Sequence, residues 1–194
     1  QDGKDAAMMK EIISRIDALN ELMKDLLLFA RPPQPRPVPV ELATLVANTA
    51  ALLGEDPSLR DLRVTIDGSA PPVFADPDLL KIVFANILVN AAHAIDNRGE
   101  IRVSLTVAGT ACEAAFSDQG PGIPLEIRDR IFEPFYTTKA RGSGLGLPTA
   151  RRLIEAQQGS IRIECPPSGG TTVIVRLPLQ PATSVEAPHT WTNS

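Results

Sequence analysis

Asn86 and Asn90 stand four positions apart in the stretch NILVNAAH, with His93 closing it. On a helix that spacing stacks both amides on one face, one turn apart. Their carbonyl oxygens suit a hard, hydrated cation and their amino groups donate to phosphate oxygens, although two solvent-facing amides would look the same in isolation. A second group, Asp118-Gln119-Gly120-Pro121-Gly122-Ile123, follows an apolar run directly. An acid at a strand end accepts a hydrogen bond from an exocyclic amine, and glycines at 120 and 122 let the backbone around Ile123 approach a ligand closely. Adenine offers such an amine. Guanine would set an oxygen against the carboxylate, at a cost on the order of 1–3 kcal/mol. A plain turn is the competing reading of this group.

Two further groups follow in order. Ile131-Phe132-Glu133-Pro134-Phe135-Tyr136-Thr137-Thr138-Lys139 combines aromatics, hydroxyls and a cation within a long connection, and such connections are usually functional. Phe132 and Phe135 are expected to anchor a mobile lid, leaving Lys139 or Arg141 to reach phosphate. Gly142-Ser143-Gly144-Leu145-Gly146-Leu147-Pro148 then runs straight into a helix, whose first backbone amides make an anion site. The GK[ST] ending of a P-loop is missing, and no strand precedes it as in a dinucleotide fingerprint. Gly169-Gly170-Thr171-Thr172 supplies a tight turn with a hydroxyl that could face the same ligand.

These groups need a scaffold, and the periodicities describe one. Asp76-Pro77-Asp78 is a helix start, with an N-cap acid, proline in the first turn and a further acid for the dipole, so Asn86 and Asn90 fall inside a helix ending near Ile95. Alternating apolar residues predict strands at 63–66, 73–74, 101–107, 111–117, 161–165 and 172–177, with a hairpin around Gly109. Shorter helices are expected at 42–53 and 147–157. The pattern is an α+β fold, a two-layer sandwich with helices on one face of a mixed sheet.

Ahead of it, Met9, Ile12, Ile16, Leu19, Met23, Leu26 and Ala30 fall in a three-four alternation, the seam of a coiled-coil-like helix. Ile13 and Leu27 widen the stripe toward what a four-helix bundle buries. Burying the larger seam residues is worth about 9–18 kcal/mol, while an isolated helix of this length is marginal, so partner helices are expected. The proline run at 32–39 ends the helix and reads as a stiff linker. The expected units are therefore a helix at 1–31, a linker at 32–39, a globular domain at 40–180 and a flexible tail at 181–194.

Composition closes off other classes. The 194-residue chain is 43% hydrophobic with only 4% aromatic residues, an ordinary globular balance. A net charge of −4 gives no general attraction to nucleic acid or anionic lipid, so neither is an expected partner. No apolar run reaches the roughly 18–20 residues of a membrane span. Cys112 and Cys165 form no CxxC pair and read as small hydrophobes of a reducing, cytoplasmic setting. The parent protein could still be tethered to a membrane. A first residue of Gln suggests a fragment or a processed chain.

The ordered set NILVNA, DQGPGI, FEPFYTTK, GSGLGL and GGTT resembles the asparagine, glycine and phenylalanine boxes of sensor histidine kinases. These belong to the ATPase superfamily shared with gyrase, heat-shock chaperones and mismatch-repair proteins. The likeness covers residues 40–178. The ending DLLLFARPPQP of the first helix is similar to the second hairpin helix of nitrogen-regulation-type kinases. The resemblance implies a Bergerat-type ATP-binding fold and Mg²⁺ and ATP as cofactors, with Asn90 ligating Mg²⁺ and Asn86 and His93 beside the phosphates. It also implies that Asp118 reads adenine, that Thr171 or Thr172 lies near the base, and that Lys139 and the backbone of Gly144, Leu145, Gly146 and Leu147 hold the β- and γ-phosphates. His93 departs from the lysine often found at its position.

Hydrolysing relatives are expected to carry a glutamate where Asn86 stands, and an amide cannot take a proton from water. The site should hold ATP for an imidazole nucleophile instead. The acceptor stretch H-E-x-x-N/x-P of the family does not occur, no His precedes His93, and His189 lies in the tail. The implied activity is ATP-dependent phosphoryl transfer to a histidine on another helix, for relay to the receiver domain of a response regulator. A homodimer through residues 9–30 is the expected assembly. A non-catalytic ATP-sensing dimerisation module and a hydrolytic clamp ATPase are the alternatives.

Overall fold

A computed structural model describes residues 2–139, 142–167 and 169–179. The expectations for Arg141, His189 and the tail at 181–194 lie outside the described residues. Helix α1, Asp2–Ala30, ends where Arg31 meets Pro32. Strand β1, Val38–Val40, and helix α2, Leu42–Leu53, follow. Then come β2, Leu62–Gly68, β3, Val73–Ala75, and helix α3, Pro77–Ala94. The hairpin of β4, Gly99–Ala108, and β5, Ala111–Asp118, leads into the long connection. Helix α4, Gly146–Glu155, and strands β6, Ser160–Glu164, and β7, Thr171–Pro178, complete the domain.

The main sheet has five strands in the order β2-β4-β5-β7-β6. β2 runs parallel to β4 and all other neighbours are antiparallel, so the sheet is mixed. Alternation puts Ile101, Val103 and Leu105 inward while Arg102 and Thr106 face solvent. Register then aligns Val103 with Phe116, and Phe116 with Val173, across three strands. Against this apolar face α3 lays Leu80, Val83, Phe84, Ile87 and Leu88, all buried, and α4 adds Leu153 and Ile154. The rings of Phe84 and Phe116 meet at 5.3 Å. Helices on one face of a mixed sheet make the Bergerat-type architecture.

The outer face is polar. Arg162 makes a forked pair to Glu113 at 2.9 and 3.0 Å, drawing that carboxyl below its ordinary range.

β1 was not anticipated. Val38 and Pro39, read as linker, pair with Ala75 and Phe74 of β3 instead. Proline fits there because this two-stranded edge asks little of its N–H. Asp76 caps α3 as its spacing predicted, accepting from the N–H groups of Asp78 at 2.9 Å and Leu79 at 3.2 Å. Its second oxygen accepts from the Arg36 N–H at 2.8 Å, and its own N–H donates to Gln157 at 2.6 Å. One carboxylate thus joins the linker to the N-terminus of the helix that carries Asn86 and Asn90.

Among the described residues the apolar seam of α1 finds no partner. Met9, Ile12, Ile16, Leu19, Met23 and Leu26 are 42% to 61% exposed. Among the described residues it is the C-terminal end of α1 that touches the domain: Leu28 packs on the core, and Arg152 donates to the Phe29 carbonyl while stacking 4.8 Å from its ring.

Candidate functional site

A cavity of about 440 Å³ opens where α3, the long connection and the N-terminus of α4 meet. α3 is buried against the sheet through Ile87, Leu88 and Ala91, and this fixes its rotation. Asn86 and Asn90, on the other side of the helix, therefore line the cavity together as their spacing predicted, and His93 lines it beside them. Asp118 enters from the end of β5. Its Oδ1 accepts from the N–H groups of Gly120 at 2.8 Å and Thr171 at 3.2 Å, and among the described residues no protein donor falls on Oδ2. Burial pushes its carboxyl up and outweighs those two N–H groups.

α4 starts hard against the amides. A Cβ added to Gly146 would lie 3.0 Å from Asn86 Oδ1 and 3.9 Å from Asn90 Nδ2. A side chain at this position would have to push the Asn86 amide aside, so glycine suits so near an approach of the helix N-terminus to the asparagines. No side chain caps this helix, so the first-turn amides of Gly146 and Leu147 are left for the cavity that both residues line. Gly144 is demanded by its backbone, since a Cβ there would lie 2.6 Å from the Phe135 carbonyl carbon. It sits at φ +67 and its carbonyl accepts from the Phe135 N–H at 3.0 Å, which closes the loop carrying Thr137, Thr138 and Lys139.

Lys139 reaches back from that loop to α3. Its ammonium donates to Asn90 Oδ1 at 2.7 Å and lies 3.2 Å from His93 Nδ1. Burial first, and the neighbouring Lys139 charge second, push the His93 imidazole below its ordinary value, while burial lowers the Lys139 ammonium as well. Both shifts disfavour a second positive charge here, and an unprotonated His93 Nδ1 is the form that can accept from the ammonium.

Not every expected residue faces the cavity. Gly122, Ile123, Gly142 and Thr171 do. Thr172 points to the opposite sheet face, where its hydroxyl pairs with Ser117 at 2.9 Å, because successive strand residues alternate. Gly120 supports from behind, accepting the Gly170 N–H at 2.8 Å. Leu145 buries its side chain fully, and its N–H turns toward Ser143 Oγ at 3.3 Å. Phe132 is covered by Arg151, whose guanidinium lies 5.3 Å from the ring, but Phe135 is 59% exposed and anchors nothing here. Its backbone adopts φ +65 to close the loop, which turns the ring outward.

Sequence reasoning missed Asp25. It lines the cavity from α1 and accepts from Ser143 Oγ at 3.2 Å. Its position carries no local cue, since the contact depends on how α1 meets α4. Among the described residues no cluster of His, Cys, Asp or Glu could hold a metal alone. The donor set suits an ion that a ligand brings: hard amide oxygens for a cation that keeps most of its shell from phosphate and water. The ammonium already resting on Asn90 Oδ1 marks that oxygen as attractive to positive charge.

Comparison with known proteins agrees with this geometry. The profile of the family described as histidine kinase-, DNA gyrase B-, and HSP90-like ATPase matches residues 75–181, more than half of the chain. The signal transduction histidine-protein kinase AtoS of Escherichia coli (strain K12) is 38% identical over 174 residues, 88% of this chain and 28% of that protein. The sensor histidine kinase ZraS of Escherichia coli (strain K12) is 32% identical, covering 91% of this chain and 39% of ZraS. The chain therefore spans well under half the length of these relatives. Among solved structures, the catalytic domain of the histidine kinase ThkA superposes with a TM-score of 0.66 at 30% identity, over 75% of this chain and 97% of that one. ThkA in complex with its response regulator protein TrrA superposes with a TM-score of 0.74 at 25% identity, over 91% of this chain and 52% of that one. By the family profile over more than half of the chain, the identity to AtoS and the shared fold, the chain belongs to the histidine kinase-, DNA gyrase B-, and HSP90-like ATPases, as a sensor histidine kinase catalytic domain.

Proposed function

We propose that the cavity binds Mg-ATP and that the chain transfers the γ-phosphoryl group to a histidine on a helix packed against α1, for relay to a response regulator aspartate. One observation carries this reading: the amides of α3, the carboxylate of Asp118 and the open N-terminus of α4 converge on a single cavity. Asp118 Oδ2 has the chemistry to accept from the adenine amine, with Thr171 beside it. The first-turn amides of Gly146 and Leu147 suit the phosphates, joined by the Lys139 ammonium. Asn90, helped by Asn86, would hold the Mg²⁺ that neutralises charge on the transferring group.

The acceptor must come from elsewhere. His93 sits on the wall of the cavity itself, and a group bound alongside it has no in-line approach to it. No carboxylate stands at position 86 to activate water, so hydrolysis should be slow and the bound nucleotide should wait for an imidazole. The exposed seam of α1 supports a bundle in which that imidazole could be presented, with a second copy as the natural partner.

The test is direct. The chain is mixed with γ-labelled ATP, Mg²⁺ and a separately purified helical hairpin that carries the H-E-x-x-N/x-P acceptor stretch. Acid-labile, alkali-stable label on the hairpin is the expected result. ATP binding without any transfer would leave a sensing module, and steady phosphate release without transfer would leave a hydrolase.

A further inference from the structure

One side chain joins the loop of the cavity to its helix. Lys139 has nothing forcing it inward by covalent geometry, yet its ammonium is placed on Asn90 Oδ1 at 2.7 Å and beside His93 Nδ1 at 3.2 Å. The loop that carries it is pinned at its base by Phe135 N–H to Gly144 O at 3.0 Å. It is tightened within by Lys139 N–H to Thr137 Oγ1 at 3.1 Å and Gly142 N–H to Lys139 O at 3.3 Å. The backbone thus aims the side chain at α3.

We propose that Lys139 is a latch: its ammonium and a divalent ion are alternative, mutually exclusive occupants of the Asn90 oxygen on which the ammonium rests. This rests on the assignment of Asn90 as the metal-side residue. A divalent ion held by that oxygen would repel an ammonium bonded to the same atom at close range. One cation must leave. A triphosphate resolves the conflict by giving the ammonium new acceptors, so the loop lets go of α3 as the phosphates arrive. His93 Nδ1, 3.2 Å from the ammonium, is the second contact of the latch, at a place where another ammonium would repel Lys139. The consequence is an order of events: free metal is kept from Asn90, and the ion enters with the nucleotide.

Two measurements decide it. The first needs no nucleotide. Hydrogen exchange at the amides of 137–139 is compared among the parent, Lys139→Met, Asn90→Ala and the double variant. A charged hydrogen bond corresponds to about tenfold, so each single change should speed exchange by about that factor and the double by no more than the larger single. Unchanged exchange in either single variant, or additive effects, overturns the latch.

The second is the ratio of ATP-analogue affinity with Mg²⁺ to that with chelator. Lys139→Met should raise this ratio about tenfold, because the ion no longer displaces a cation, and should leave it unmoved when Asn90 is already Ala. A ratio indifferent to Lys139, or a change that persists without Asn90, also overturns the proposal while leaving the nucleotide site standing. Should the parent bind no ATP at all, the functional reading falls and the exchange comparison still decides the latch.

Discussion

Replacing Asp118 by Asn separates recognition from folding. Asp118 Oδ1 accepts two backbone N–H groups, at 2.8 and 3.2 Å, and an asparagine carbonyl can keep both. The exchange falls on the other atom, where a carboxylate oxygen becomes an NH₂ group. Facing an adenine amine, that group sets donor against donor, and a charged acceptor is lost as well. A hydrogen bond to a charged group is worth about 1.5–3 kcal/mol and an unmatched pair adds to the loss, so about 2–4 kcal/mol is expected, roughly a 30- to 700-fold weaker affinity. Stability should move the other way. Burial raises the folded-state pKa of this carboxyl above its unfolded value, so between the two the folded chain holds more protons than the unfolded one. The parent therefore loses stability as pH rises through that window, and at neutral pH Asp118→Asn should melt at the same temperature or higher. Calorimetry with a non-hydrolysable ATP analogue reads the first quantity and thermal unfolding across pH the second. An affinity within threefold of the parent, in a variant that folds, would refute the assignment of Asp118 to the purine.

Three further outcomes are expected. Asp76→Ala removes the α3 cap and the tie to Arg36, and should cost about 2 kcal/mol in denaturant unfolding at neutral pH. Burial opposes ionisation of this carboxyl, but the N–H groups of Arg36, Leu79 and Asp78 and the Arg36 charge prevail and lower its pKa. Its contribution is thus present above the unfolded pKa and fades as pH falls through the folded one, so parent and variant should converge in acid. Gly146→Val drives a branched side chain into Asn86 and should weaken nucleotide binding more than tenfold in titration calorimetry, with unfolding little changed. Ile16→Glu places a charge in the exposed seam of α1 and should shift the sedimentation mass from dimer to monomer.

Much of the site could be read from residue spacing because it depends on local rules. Asp76 announces a helix start, four-residue spacing aligns Asn86 with Asn90, and glycines before Leu147 leave amides open; all three are properties of a few neighbouring residues. What spacing could not supply was long-range. Thr171 and Thr172 are indistinguishable in sequence, and only the pairing of Asp118 with Thr171 turns one hydroxyl inward and its neighbour out. β1 escaped notice because proline-rich segments seldom pair, and its partner lies a full helix away in sequence. Asp25 and the inward reach of Lys139 arise from packing between elements that share no periodicity. Phe135 misled for a related reason: an aromatic beside a glycine loop suggests an anchor, but the left-handed turn it adopts sends the ring to solvent.

The central claim is that one cavity receives the whole nucleotide, and a crystal structure of this chain grown with a non-hydrolysable ATP analogue and Mg²⁺ tests it most directly. The account predicts the adenine amine on Asp118 Oδ2, the ion on Asn90 Oδ1, the phosphates at the start of α4, and the Lys139 ammonium moved from α3 to a phosphate oxygen. Nucleotide bound elsewhere, or bound here with its purine turned away from Asp118, would contradict it.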